Sequence, residues 1–137
     1  MKKNSILVIN CGSSSLKFSL INPVCGEIII SGIAGRLSAP AACITTQYQG
    51  AKEQLALNEP YDHQAAISEL VNILTKHRLV EQICAIGHRV VHGGEDYSQP
   101  TRITNEVKNT IAKLSRLAPL HNPANLIGIE ACQKAFN

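Results

Sequence analysis

No two of the five cysteines (Cys11, Cys25, Cys43, Cys84 and Cys132) stand as a C-x-x-C pair. Their odd number and wide spacing argue against both a disulfide framework and a zinc site. A reducing cytoplasm is the compartment that this usage fits. A continuous basic stripe is also missing. The formal charge is +3, yet the basic residues are scattered in ones and twos (Lys2, Lys3, Lys52, Lys76, Arg78, Arg102, Lys113), so nucleic acid is not an expected partner. No apolar run is long enough to span a membrane. The short run behind Lys2 and Lys3 ends in a polar loop without a small-residue cleavage site, so neither a membrane partner nor a secretory leader is expected. There is no internal repeat and no low-complexity segment. What remains is an ordinary balance for one soluble domain with its own core: 137 residues, 45% hydrophobic and 17% charged.

The segment "SILVIN" (Ser5 to Asn10) is too short for a helix and rich in β-branched residues, which predicts a central strand covered on both faces. In "LKFSLI", Leu16, Phe18 and Leu20 alternate with Lys17 and Ser19, the period of a second strand. "NPVCG" is turn chemistry, and "EIIISGIA" (Glu27 to Ala34) reads as a third strand of an antiparallel meander. A fourth strand, at the sheet edge, is expected around "CITTQYQ". The polar stretch from Gly50 to Asp62 reads as an irregular surface connection. Ile67, Leu70, Val71 and Leu74 then stand at i, i+3, i+4 and i+7, predicting a helix between about His63 and Arg78. "ICAIG" (Ile83 to Gly87) is another buried strand, continued by "HRVVHGG" into a glycine pair where the chain must turn. Val107, Ile111 and Leu114 mark a helix after an N-cap at Thr104, and Asn122–Pro123 opens a last one. Strands first, then helix, strand and two helices make a mixed α/β sheet with helices packed on it.

Directly after the first strand comes "NCGSSSLKF". Gly12 permits close backbone approach to a ligand, and serine hydroxyls with exposed backbone amides can donate to phosphate oxygens. On this reading Asn10 orients a metal-bound water through its carboxamide, while Ser13, Ser15 and Lys17 face phosphoryl oxygens. The competing reading is a serine-rich turn that satisfies only its own backbone, and the segment by itself does not choose between them. It is not a P-loop, which needs a second glycine before the lysine and a helix after it. Ser14 and Lys17 also satisfy S-x-x-K, the nucleophile pattern of penicillin-recognising serine enzymes, but the alternating "LKFSLI" denies the pair a helical turn, and no S-D-N or K-T-G occurs.

His88 and His92 have H-x-x-x-H spacing, but Val90–Val91 and Gly93–Gly94 favour a strand, where four residues span about 13 Å and chelation fails. His88 reads as a hydrogen-bonded, partly buried histidine. Arg89 at the end of a buried strand needs an anionic or polar partner: either a salt bridge to Glu95 or Asp96, or a bidentate grip on a substrate carboxylate or phosphoryl group. His121 precedes Asn122–Pro123 and so should lie near the positive end of the last helix, a position that suits an anion, although a packing role competes. Val91 and Leu120 are core candidates that could equally wall an apolar pocket.

Three stretches, "INCGSSSLKF", "IGHRVVHGGE" and "LAPLHNPANLIGIE", together closely resemble the acetate kinase family. The resemblance covers most of the chain, with little signal from Leu37 to Tyr61. It implies a ribonuclease H-like (actin-like ATPase) domain of the acetate and sugar kinase, heat-shock chaperone and actin superfamily. It also implies reversible phosphoryl transfer between ATP and acetate, giving ADP and acetyl phosphate, with Mg2+. By this resemblance Asn10 matches the magnesium-site asparagine, Ser13 and Ser15 the phosphate-loop serines, and Lys17 the ATP-contacting lysine. Arg89 matches the substrate-binding arginine, Val91 and Leu120 the pocket for the acetate methyl, and His121 an active-site histidine near the transferred group. The family has two similarly folded domains, so residues 1–137 are expected to be an N-terminal domain fragment, inactive alone and lacking a further sheet strand. Propionate is an alternative substrate, because one methylene in an apolar pocket discriminates by only about 1–3 kcal/mol. A homo-oligomer is implied for the full-length enzyme. The rival of another class is a non-catalytic anion-binding module.

Overall fold

The computed structural model describes residues 4–89, 101–113 and 122–136, with the side chains of 122–124 excepted. Its organising element is β1 (Ser5–Cys11), whose leucine, isoleucine and valine side chains favour a pleated, packed surface. β1 pairs antiparallel with β2 (Leu16–Ile21), which pairs with β3 (Ile28–Gly35), then β4 (Cys43–Tyr48) and β5 (Ala51–Ala56), all antiparallel. β6 (Ile83–His88) lies parallel to β1 on its other side, which closes a mixed six-stranded sheet of order β5-β4-β3-β2-β1-β6. A parallel neighbour needs a crossover. It is supplied by α1 (His63–Lys76) and a single 3-10 turn, Val80–Gln82.

Helix α1 forms where the sequence predicts one. The Asp62 side chain accepts the Ala65 N–H at 2.9 Å, capping the first turn, and Ala66, Ile67, Leu70, Ile73 and Leu74 make its buried stripe. α2 (Asn105–Lys113) is capped by Thr104, whose Oγ1 accepts the Val107 N–H at 3.2 Å. α3 (Asn122–Ala135) opens at the Asn–Pro pair. α1 and α3 pack on each other, α3 rests on β1 and β6, and α2 adds a satellite cluster in which Val107 and Ile111 meet Ile129. The main core is the helix-facing half of the sheet (Leu7, Ile9, Leu16, Phe18, Leu20, Ile30, Ile44) against the stripe of α1 and Cys132 of α3.

Three expectations need correction. β1 is interior to the sheet but covered on one face: Leu7, Ile9 and Cys11 are buried, whereas Val8 on the opposite face is 37% exposed. An unbroken apolar run does not distinguish a two-sided strand from a one-sided strand with apolar residues on its open face. The polar stretch after Gly50 is not irregular throughout, because it contains β5, and β5 rather than β4 forms that edge. "AKEQLA" has no apolar alternation to announce a strand. It is held by its ladder to β4, while only Leu55 is half-buried. The continuation of β6 into Val90–Gly94, and Leu114 of the second predicted helix, lie outside the described residues.

His88 ends β6 opposite Ile9, on the helix-facing side, and lines a cavity of about 470 Å³ with Ile86, Ile103, Ile129, Cys132, Gln133 and Phe136. Burial pushes its pKa down from 6.5 to about 4. The unfolded chain therefore binds a proton there at a pH where the folded chain does not. Stability from neutral His88 is full above pH 6.5 and is lost as the pH falls toward 4. His88→Gln is expected to flatten the acid limb of stability over that window in urea melts, and an unchanged acid slope contradicts this. Leu70, fully buried in α1, is expected to cost about 2–5 kcal/mol of unfolding free energy as Leu70→Ala. A loss well under about 1 kcal/mol would contradict the assigned core.

Candidate active site

The polar loop Gly12–Ser15 joins β1 to β2, and the ladder carries on into it. Cys11 pairs with Leu16, and beyond them the Gly12 N–H donates to the Ser15 carbonyl at 2.9 Å. A Cβ on Gly12 would stand 2.8 Å from Ser15 Oγ and would displace that hydroxyl.

Three carbonyls at this turn are held by donors from elsewhere in the fold. The Cys11 carbonyl accepts Asn125 Nδ2 of α3 at 2.8 Å. The Gly12 carbonyl accepts the Nε2–H of His63, the first residue of α1, at 2.6 Å. A carbonyl has no proton to give, so Nε2 carries it. The Ser14 carbonyl accepts the Leu37 N–H at 3.0 Å.

In a planar trans peptide the C=O and the following N–H point in opposite directions. Holding the Gly12 and Ser14 carbonyls toward the body of the protein therefore turns the Ser13 and Ser15 amides away from it. Among the described hydrogen bonds, none is donated by the backbone amides of Ser13, Ser14 or Ser15. Successive outward amides form a concave positive surface suited to an anion. A turn that bonds only to itself does not have this pattern.

The charged side chains belong to the other face of the sheet. Residues directly opposite in an antiparallel pair share a face. The Asn10–Lys17 pair thus sits on the open face, while Cys11–Leu16 sits against the helices. Asn10 is half-buried, and Lys17 and Ser13 are exposed. Lys17 also borders a shallow groove of about 360 Å³ with Ser19, Ser31, Ile33, Thr45, Gln47 and Lys52. Arg89 follows β6 immediately, is exposed, and its N–H donates to the Ile9 carbonyl at 3.1 Å, which extends the ladder by one residue. Strand alternation after His88 assigns Arg89 to the face of Asn10 and Lys17. Among the described residues no acidic group pairs with Arg89, and Glu95 and Asp96 lie outside them.

Asn10, Ser13, Ser15, Lys17 and Arg89 are thus brought to one end of the central strands. Val91, Leu120 and His121 lie outside the described residues. α3 opens at the next residue, and its Asn125 reaches Cys11, so the first turns of α3 stand beside the loop. Ser14 in the turn and Lys17 on a strand lack the helix that the S-x-x-K reading needs. Among the described residues no His, Cys, Asp and Glu cluster forms a metal cage. Mg2+ does not need one, because it commonly keeps several waters and takes one or two protein oxygens plus substrate phosphates. The Asn10 carboxamide beside the loop fits that donor set.

Pattern reading passed over His63, Asn125 and Gly128. A Cβ on Gly128 would meet Cys11 Sγ at 2.5 Å, so its absence lets α3 seat against the end of β1. Burial pushes the Cys11 thiol up to about 11 and the Cys132 thiol up to about 12, the latter with a smaller contribution from Cys11. Both stay protonated at neutral pH, so Cys11 is a packing residue. All five cysteines are free.

The sequence and the sheet have relatives among known proteins. The acetokinase family model matches residues 5–137. The acetate kinase of Deinococcus radiodurans is 48% identical over 130 residues, 95% of this chain and 32% of that protein. The acetate kinase of Proteus mirabilis is 46% identical over 138 residues, 99% of this chain and 34% of that protein. Among solved structures, a propionate kinase from Francisella tularensis superposes with a TM-score of 0.91 at 38% identity, covering 99% of this chain and 34% of the other. Porphyromonas gingivalis acetate kinase gives a TM-score of 0.88 at 36% identity, covering 96% and 34%. The chain spans about a third of the length of these relatives. The mixed sheet, the neighbours that share it and the match over residues 5–137 lead to one conclusion: this chain belongs to the acetokinase family.

Proposed function

We propose that residues 1–137 are the N-terminal domain of an acetate kinase, a phosphotransferase that moves the terminal phosphoryl group of ATP to acetate and back from acetyl phosphate to ADP. The observation that carries this reading is the turn in which three carbonyls are tied inward while, among the described hydrogen bonds, the Ser13, Ser14 and Ser15 amides donate none. Such transfer involves little covalent chemistry by the protein and depends on alignment and charge stabilisation. Both reactants are anions, so opposing their repulsion is the main task.

In this assignment the Ser13, Ser14 and Ser15 amides and the Ser13 and Ser15 hydroxyls hold phosphoryl oxygens, and Lys17 adds a positive charge. Arg89 grips the substrate carboxylate or the group in flight with two parallel N–H bonds. His121 donates to the transferred phosphoryl group, and Val91 with Leu120 encloses the acetate methyl. Asn10 would hold Mg2+ directly or through a metal-bound water, and the ion supplies charge neutralisation when bound with the nucleotide. Propionate is the alternative substrate, supported by the likeness to a propionate kinase. Among the described residues no helix is long and apolar enough to cross a membrane, and five free cysteines fit a cytoplasmic setting.

The test is acetyl phosphate formation from MgATP and acetate. The 137-residue chain alone is expected to give none, and the same chain continued to the length of its relatives to turn over. In that context Arg89→Ala is expected to lose roughly 10²-fold or more in kcat/KM. Turnover by the short chain contradicts the inactive-domain assignment, and unchanged kinetics in Arg89→Ala contradict its role. A full-length chain that binds phosphate without turnover would favour the anion-binding module.

A further inference from the structure

We propose that His63 and Asn125 are positioning residues of the phosphoryl site: each ties back one carbonyl of the Cys11–Ser15 turn, so that the serine amides stay aimed at an anion. The inference rests on the phosphate reading of the turn given above.

Both side chains are buried, His63 at 7% exposure and Asn125 at 2%, and both reach the turn from distant parts of the chain. His63 is 51 residues from Gly12, and Asn125 is 114 from Cys11. Gly12 and Ser15 face each other across the turn, and one of their two cross-turn bonds is made, from Gly12 N–H to Ser15 C=O. The other, from Ser15 N–H to Gly12 C=O, would close an ordinary two-residue hairpin. Among the described hydrogen bonds it is replaced by the His63 Nε2–H on the same carbonyl. The ring thus substitutes for the Ser15 amide as donor, which leaves that amide available.

Peptide planarity carries the effect one step further. The Gly12 carbonyl and the Ser13 N–H belong to one rigid unit, so the hydrogen bond to His63 also fixes the bearing of the Ser13 amide. Asn125 acts on the preceding unit. Its hold on the Cys11 carbonyl directs the Gly12 N–H across the turn to Ser15. Without these donors, two carbonyl dipoles near the loop would be free to rotate toward an incoming phosphate and repel it. Neither residue touches the ligand in this scheme, and both act through the backbone.

The experiment uses the chain as it stands, labelled with 15N, with inorganic pyrophosphate as the probe. In the wild type, pyrophosphate is expected to shift the Ser13 and Ser15 amides, and the His63 ring is expected to carry its proton on Nε2. His63→Phe removes the donor while keeping a ring. It is expected to weaken pyrophosphate binding about tenfold or more, and to slow Ser15 amide exchange as Gly12 C=O turns to close the hairpin. His63→Gln, which places an amide N–H where Nε2 was, is expected to restore binding to within about threefold. Asn125→Leu is expected to weaken binding about as much as His63→Phe. Unaltered Ser13 and Ser15 exchange in a folded His63→Phe overturns the positioning role. So does wild-type Nε2 without a proton, a reading that needs no variant to fold. Absence of any pyrophosphate effect on the wild-type loop overturns the phosphate reading, which is a separable failure.

Discussion

A planar peptide unit cannot turn its carbonyl inward without turning its amide outward, and this constraint governs the end of β1. The fold spends two buried side chains, His63 and Asn125, and one backbone amide, Leu37, on carbonyls of a single turn. Such donors are costly to bury without partners, about 1–3 kcal/mol each, and among the described residues no buried side-chain nitrogen or oxygen lacks one. The turn and the helices therefore hold one another: α1 and α3 satisfy their polar groups by fixing the loop.

On the proposed reading, magnitudes favour the backbone over the side chains as the main anion holder. Lys17 is exposed, and in a water-like dielectric a single charge at 4 Å contributes about 1 kcal/mol. Hydrogen bonds to a charged acceptor contribute roughly 1.5–3 kcal/mol each. The Ser13 and Ser15 amides, already oriented, need no reorganisation when the ligand arrives, whereas a lysine must give up rotamer freedom. The pieces that align the turn are rigid elements packed on a common core, and α3 closes on β1 because Gly128 leaves room for the Cys11 sulfur.

Much of this was legible in the chain, for local reasons. β1 to β3 follow from β-branched runs and the alternation of Leu16, Phe18 and Leu20. α1 follows from the spacing of Ile67, Leu70 and Leu74, Thr104 marks a helix start by capping chemistry, and the Asn122–Pro123 pair marks the start of α3. β5 was not legible, because a polar strand held by its ladder carries no apolar period. The open second face of β1 was hidden because Val8 is as apolar as the residues that are buried. Asn10, Lys17 and Arg89 could be singled out from motif chemistry, and the sheet register brings them to one end. His63 and Asn125 could not, since their partners lie far along the chain and a histidine at a helix start carries no local sign of the carbonyl it will meet.

The measurement that tests the account most directly is the position of a bound phosphoryl group, seen by diffraction from this chain continued to the length of its relatives, with a non-hydrolysable ATP analogue and magnesium. The account predicts phosphoryl oxygens about 2.7–3.2 Å from at least two of the Ser13, Ser14 and Ser15 amide nitrogens. Phosphates held elsewhere, with those amides facing water or bonded within their own turn, would contradict it.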